Sequence, residues 1–227
     1  MGDKGMIAYL ARLFAERAIG LLLFLIGSSW ILGARGTLWF AAYFAAIGTA
    51  VWLYRAAPET MAARLSIVDT KDVTPVWDKV LLAVFWLLAY FAVYWVAGRT
   101  CDPSLPIDAI AAAGAAIYLL SSVLTAWARS ENRYAEAVSR VQEDRGQRVC
   151  SSGPYAYVRH PMYSAIIMWC LSVVMVFPSP WVALVAGVVA VVIVVRTALE
   201  DAMLADGLEG YSEYQGKVRW RLVPFIW

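Results

Sequence analysis

The chain has few charged residues for its length. Of its 227 residues, 16% are charged and 62% are hydrophobic, whereas soluble domains have about 25% charged and roughly half apolar residues. This composition excludes a soluble globular fold. It also excludes disorder, because so much apolar and aromatic sequence can bury a core. The net charge of +2 is too small for the basic field that binds nucleic acid. We expect an all-α, multi-pass integral membrane protein.

Histidine and cysteine are scarce. The chain has one histidine, His160, and three separated cysteines, Cys101, Cys150 and Cys170. Zinc, iron–sulfur and haem sites need several such ligands at characteristic spacings, so we expect no His/Cys metal centre. A GxGxxG sequence after a strand is also missing, which argues against a Rossmann nucleotide-binding domain.

Six apolar segments are long enough, or nearly so, to cross a bilayer. A hydrocarbon core about 30 Å thick needs roughly 20 apolar residues per helix. The six segments comprise residues 18–34, 37–54, 76–97, 107–127, 162–177 and 181–199. Short connections at 34–36 and 178–180 predict that the first two and the last two segments form antiparallel helical hairpins.

Lysine and arginine concentrate on alternate connections. Arg35 and Arg99 lie on one set of connections, and the other 17 of the 19 basic residues lie on the other set, counted with both terminal stretches and the adjoining edges of the spans. Because short cytoplasmic loops are enriched in positive charge, this partition predicts six spans with both termini in the cytoplasm. The segments around residues 160 and 200 would both lie on the cytoplasmic face of the membrane. Such a protein would lie in a bacterial inner membrane or in the endoplasmic reticulum.

Two polar stretches follow the fourth and the sixth span. In the first, Tyr134, Val138 and Val141 recur at helical spacing, which predicts that residues 128–145 extend the fourth helix into the cytosol. Gly146 would then end that helix. The second stretch, from residue 200 to 227, is expected to continue the sixth helix and to close with amphiphilic, aromatic-rich sequence.

The single histidine lies in the motif GPYAYVRHPMY, residues 153–163, directly before the fifth span. Pro161 is placed to open that helix, so the N–H groups of its first turn would point to the cytoplasm beside Arg159 and His160. A helix N-terminus, a guanidinium and an imidazole together favour binding of an anion. The same residue types also occur at membrane interfaces simply as anchors.

A second charged cluster ends the sixth span. Arg196 and Glu200 are four residues apart and therefore share one helix face, and Asp201 follows. A charged side chain beside so apolar a run must either pair with an opposite charge or reach the membrane–water interface. Because the hairpin brings the ends of the fifth and sixth helices together, this cluster and the Arg159–His160 pair can face one pocket. Cations and a carboxylate in one pocket suit a zwitterionic amino-acid group.

Taken together, these motifs resemble the isoprenylcysteine carboxyl methyltransferases and the related membrane phospholipid N-methyltransferases. The resemblance covers roughly residues 140–227 and includes GPY-x-x-x-RHP-x-Y, the helical hairpin 162–199, Arg-x-x-x-Glu-acidic and the ending GYSEYQGKVRWRLVP. It implies a membrane methyltransferase that binds S-adenosyl-L-methionine and releases S-adenosyl-L-homocysteine. Residues 128–227 would form the methyltransferase core, and residues 1–127 would shape the tunnel for the acceptor.

The resemblance also implies roles for individual residues. The cofactor-binding residues would be Gln142, Arg148, Val149, Cys150, Tyr155, Arg159, His160, Pro161, Met162, Tyr163 and Glu200. Among them, Glu200 would hold the amino group of the cofactor. Arg196 would lie toward the substrate, and Arg196 and His160 are the candidate catalytic residues. Two positions depart from the family pattern: Ala165 replaces a frequent glycine, and Asp201 replaces the second residue of a Glu-Glu pair.

The sequence does not determine which molecule accepts the methyl group. The cofactor carries an activated methyl group, so the protein need only position the reactants and exclude water. Arg196 could orient a carboxylate, whereas an amine or thiol would need a base such as the His160 imidazole. The acceptor could thus be a prenylated or other lipophilic carboxylate, a phospholipid amine or a small thiol. A transporter or structural subunit is disfavoured, because inverted repeats and mid-membrane charges are missing.

Overall fold

The structure is a computed structural model that describes residues 3–57 and 74–227. Over these residues every regular element is helical, and strands are absent. The eight helices found there are α1 (Asp3–Gly27), α2 (Gly33–Ala45), α3 (Ile47–Ala56), α4 (Val76–Thr100), α5 (Ala109–Glu131), α6 (Pro161–Val176), α7 (Pro180–Gly207) and α8 (Tyr211–Lys217). Helix α4 contains a π-helical turn at Leu87–Ala92. The expectation of a helical protein is confirmed for the described residues.

Four stretches of these helices have the length and hydropathy to cross a bilayer: Gly33–Leu53 in α2 and α3, and helices α4, α5 and α7. Helix α6 is apolar but has only 16 residues, which at 1.5 Å per residue is about 24 Å, less than the hydrocarbon core of about 30 Å. Helix α1 carries Arg12, Glu16 and Arg17 near its middle. The helices support an integral membrane protein, while the count of six spans stays a prediction.

The first connection lies earlier than the sequence indicates. The predicted turn at residues 34–36 is part of α2, and the chain reverses at residues 28–32, between α1 and α2. Arg35 is 8% exposed, and its Nη2 binds Asp108 Oδ2 at 2.7 Å. Its Nη1 donates to the Val176 carbonyl at 3.2 Å. Arg35, which was expected in a loop, is therefore buried in α2 and links this helix to α6 and to the start of α5.

The predicted extension of the fourth helix is also wrong. Helix α5 ends at Glu131, and residues 132–150, here called the connector, are irregular apart from a 3-10 turn at Glu143–Arg145. Tyr134 is buried within this irregular chain, and its carbonyl accepts from Gln142 Nε2 at 2.7 Å. Such side-chain bonds satisfy the backbone without a helix and outweigh the helical spacing. Gly146 ends the short 3-10 turn with a φ of 58°.

The helices pack around a core rich in aromatic side chains. Its largest members are Phe24, Trp39, Phe40, Tyr43, Tyr94, Tyr118, Tyr163 and Phe177. Helices α5 and α6 approach closely at Gly114, where an added Cβ would lie 3.0 Å from the carbonyl oxygen of Ser172. Ser179 caps α7 by accepting from the Trp181 N–H at 3.3 Å. The α6–α7 hairpin is thus fixed at one end, and the start of α6 lies beside the later part of α7.

Candidate functional site

The start of α6 has the predicted form. His160 is the N-cap residue, and Pro161 is the first residue of the helix. Residues 218–227, here called the tail, run beside it: the N–H of Arg159 donates to the Trp220 carbonyl and that of His160 to the Arg221 carbonyl, both at 2.9 Å. The tail therefore holds the RHP motif through the backbone, which leaves both side chains for other contacts.

Asp201 of α7 joins the RHP motif to the tail and to α8. Its carboxylate is 1% exposed and accepts hydrogen bonds of 2.8–3.1 Å from Arg159, His160, Tyr211, Gln215 and Arg221. Arg159 binds both carboxylate oxygens, a bidentate geometry that is among the strongest available. Burial and the Asp201 carboxylate raise the pKa of Tyr211, so this phenol stays protonated and donates. The position that departs from the family pattern is thus a structural hub.

Glu200 lies next to this hub but faces different partners. The hydroxyls of Tyr163 and Ser139 both donate to its Oε2, the second at 2.8 Å, which leaves Oε1 to accept from a ligand. The Tyr163 ring stacks on the His160 ring with centroids 5.6 Å apart and planes 5° apart. Neighbouring carboxylates on α7 therefore have separate tasks, because Asp201 binds protein groups and Glu200 keeps an oxygen for another molecule.

Arg196 is buried on the same helix, beside Tyr163 and Ser139, and its main partners lie outside α6 and the tail. It is 4% exposed, and its Nε binds Asp78 Oδ1 of α4 at 2.8 Å. Its Nη2 donates to the Ala137 carbonyl of the connector at 2.7 Å. The sequence analysis missed Asp78, although a lone carboxylate at the start of an apolar helix is itself a sign of a buried partner.

An open cavity lies between the connector, α6, α7 and α8. Its empty volume is about 750 Å³ when open solvent at the mouth is counted. All eleven residues that the resemblance implies for cofactor binding, from Gln142 to Glu200, line it, and Arg196 is not among the lining residues. Lining residues that the sequence analysis missed include Glu136, Arg140, Leu204, Leu208, Tyr211 and Tyr214. The four-residue spacing of Glu200 and Leu204 on one face of α7 could have indicated Leu204.

Like Arg159 and His160, Gln142 and Cys150 use their polar groups within the protein. Gln142 is 2% exposed, and its amide binds the Tyr134 carbonyl and the Arg145 guanidinium, the latter at 2.6 Å. Gln142 thus fixes the connector at the edge of the cavity. The Cys150 thiol lies 3.7 Å from the Glu131 carbonyl, and burial raises its pKa. A neutral thiol is a poor nucleophile, so Cys150 contributes shape more than reactivity.

The cavity offers groups that fit a cationic amino acid attached to an aromatic base. The free oxygen of Glu200 suits an ammonium group, and the rings of Tyr155 and Tyr163 suit a sulfonium or a base. Both rings are buried, with 6% and 7% of their surface exposed. Arg148 is exposed at the lining, and Leu204 adds apolar surface. S-adenosyl-L-methionine carries each of these chemical groups, so the residues present fit it.

A comparison with known families identifies the segment that carries this cavity. Residues 109–209 match a family described as phospholipid methyltransferase, which is related to the isoprenylcysteine carboxyl methyltransferases. The match begins at the first residue of α5 and ends just after α7, so it includes the connector and the α6–α7 hairpin. It confirms the resemblance and supports a membrane methyltransferase. No curated protein matches the chain.

Proposed function

We propose that the protein is an integral-membrane methyltransferase that uses S-adenosyl-L-methionine to methylate a lipophilic acceptor, in the manner of the isoprenylcysteine carboxyl methyltransferases. One observation carries the proposal. The eleven residues that the family resemblance implies for cofactor binding line a single cavity, although they come from the connector, the turn Gly153–Ala156, the RHP motif, α6 and α7. The family match over residues 109–209 supports the same chemistry.

The residues of the cavity would bind the cofactor and exclude water from it. When bound, the cofactor supplies a methyl group on a positively charged sulfur. Glu200 would accept from its amino group, with the carboxylate kept in orientation by the Tyr163 and Ser139 hydroxyls. The buried rings of Tyr155 and Tyr163 would face the positive charge. Apolar groups such as Met162 would exclude water, which competes for the methyl group.

The acceptor has two main candidates, and the geometry of Arg196 bears on the choice. A carboxylate acceptor would use Arg196, but Asp78 and the Ala137 carbonyl already bind its Nε and Nη2, and Arg196 does not line the cavity. This observation favours the second candidate, a phospholipid amine. His160 binds Asp201 through Nε2 at 3.1 Å, so Nδ1 is the nitrogen left to take a proton from an amine or a thiol. A small-thiol acceptor would use the same base.

The basic residues on alternate connections support a site on the cytoplasmic side, with both termini on that side. Cofactor would then enter from the cytoplasm and the acceptor from the bilayer. Membrane lipids would be neighbours of the site and, in the amine case, substrates.

Calorimetry of the detergent-purified protein with S-adenosyl-L-homocysteine tests the proposal. We expect saturable binding that weakens at least tenfold, about 1.4 kcal/mol, in Glu200→Ala, because the ligand's ammonium group then has no partner. Asp206→Asn is the control, since Asp206 is an exposed carboxylate on the same helix. Labelled cofactor with phospholipids, prenylcysteines and thiols then identifies the acceptor. A folded wild type that binds no S-adenosyl-L-homocysteine would instead favour a transporter or structural subunit.

A further inference from the structure

Asp78 is a buried carboxylate outside the cavity. It lies in the first turn of α4 and is 0% exposed. The cavity lining begins at Asn132 and the family match at residue 109, so Asp78 lies outside both. A buried charge in a helix that can cross a membrane needs a partner. Asp78 has two, because Oδ1 binds Arg196 Nε and Oδ2 accepts from the Ser139 N–H at 2.9 Å.

Both partners of Asp78 lead to the same oxygen of Glu200. The Ser139 hydroxyl donates directly to Glu200 Oε2 at 2.8 Å. The Arg196 guanidinium lies 5.4 Å from the centre of the Tyr163 ring, and the Tyr163 hydroxyl donates to Glu200 Oε2. Asp78 is therefore linked to the Glu200 carboxylate by two sets of contacts. One runs through the N–H and the hydroxyl of Ser139, and the other runs through the ion pair with Arg196 and then Tyr163.

The same contacts hold the connector on the helices. Arg196 Nη2 donates to the Ala137 carbonyl and lies 3.4 Å from the Ser139 hydroxyl. Residues 137–139 are thus fixed on one side by Asp78 and on the other by Arg196 and Glu200. Because neighbouring connector residues line the cavity, a shift of this short segment would move both the wall of the cavity and the hydroxyl on Glu200.

We propose that Asp78 is a positioning residue of the cofactor site. By fixing Arg196 and the backbone of Ser139, it keeps the Ser139 hydroxyl on Glu200 and the connector against α7. This inference rests on the proposed function and extends it, since it makes cofactor binding depend on a helix of the acceptor region. Asp78 touches neither cofactor nor acceptor, and its effect passes through Ser139 and, by way of Arg196, through Tyr163.

The variant Asp78→Asn removes the charge and keeps the shape of the side chain. We expect it to weaken binding of S-adenosyl-L-homocysteine to the full chain in detergent by about fivefold, which corresponds to one hydrogen bond of typical strength. Ser139→Ala should have a similar effect. The double variant should lose less affinity than the product of the two single effects, because both changes weaken the same contact between the Ser139 hydroxyl and Glu200. Asp206→Asn is again the control and should bind as the wild type does.

A merely structural role for Asp78 predicts a different result. The two effects would then multiply in the double variant, and that outcome would overturn the inference, as would unchanged affinity in folded Asp78→Asn. If Asp78→Asn does not fold, Arg196→Lys replaces it in the same cycle with Ser139→Ala, and the same criterion applies. Absence of binding by folded wild type would refute the proposed function and this inference together. Binding by the wild type with multiplying effects refutes this inference alone.

Discussion

Two buried arginines tie the helices together at different ends of the bundle, and they have different surroundings. Arg35 binds the carbonyls of Pro106 and Val176 and the Asp108 carboxylate, whose side chain is 49% exposed. Arg196 binds Asp78, whose side chain is 0% exposed, and its network continues to Glu200. Similar burial thus serves two purposes. At one end the arginine joins helices, and at the other it joins helices and also holds the connector that lines the cavity.

The largest effect should follow the loss of the hub at the cavity end. Asp201→Ala would leave the Arg159 guanidinium buried without its carboxylate and would free the tail and α8. We expect a loss of about 3–5 kcal/mol in the free energy of unfolding, the usual result of breaking a buried ion pair. Denaturant titration in detergent, followed by tryptophan fluorescence, measures it. A loss no larger than that of an exposed substitution would show that the hub does not hold the tail.

The comparison of the two arginines predicts the next effect. Arg196→Ala should lower the free energy of unfolding by about 3 kcal/mol or more and also weaken binding of S-adenosyl-L-homocysteine. Arg35→Ala should cost less stability, about 1.5–3 kcal/mol, because water can solvate the half-exposed Asp108, and it should leave the affinity unchanged. Unfolding and calorimetry on both variants provide the test. A loss of affinity in Arg35→Ala would contradict the assignment of separate purposes.

The smallest effect concerns two cysteines at the two ends. Burial raises the pKa of the Cys101 thiol to about 11 and also raises that of Cys150, so alkylation of both should be slow at neutral pH and accelerate as the pH rises and thiolate forms. With S-adenosyl-L-homocysteine at ten times its dissociation constant, labelling of Cys150 should slow about tenfold, because Cys150 lines the cavity. Cys101 should label at its former rate. Mass spectrometry after iodoacetamide treatment measures both, and equal protection would contradict a ligand confined to the cavity.

The sequence predicted those parts of the site that depend on local chemistry. Pro161 opens α6 because proline favours the first helical position, and the face of α7 that carries Glu200 follows from helical periodicity. The partner of Arg196 was not predictable in this way, since Asp78 lies 118 positions earlier in the chain. The connector was predicted wrongly because its side chains bind its own backbone, as Gln142 binds the Tyr134 carbonyl. The first turn was misplaced because burial of Arg35 depends on carbonyls of distant segments.

The short α6 has a consequence for the membrane around the protein. As the predicted fifth span, α6 with its 16 residues would fall about 6 Å short of the average hydrocarbon thickness, a mismatch that local thinning of the bilayer relieves. The cavity lies at the start of this helix, so the thinning would occur at its rim. Headgroups of neighbouring lipids would then lie at the level of the cavity, and under the proposed function this would shorten the path of a lipid acceptor to the methyl group of the cofactor.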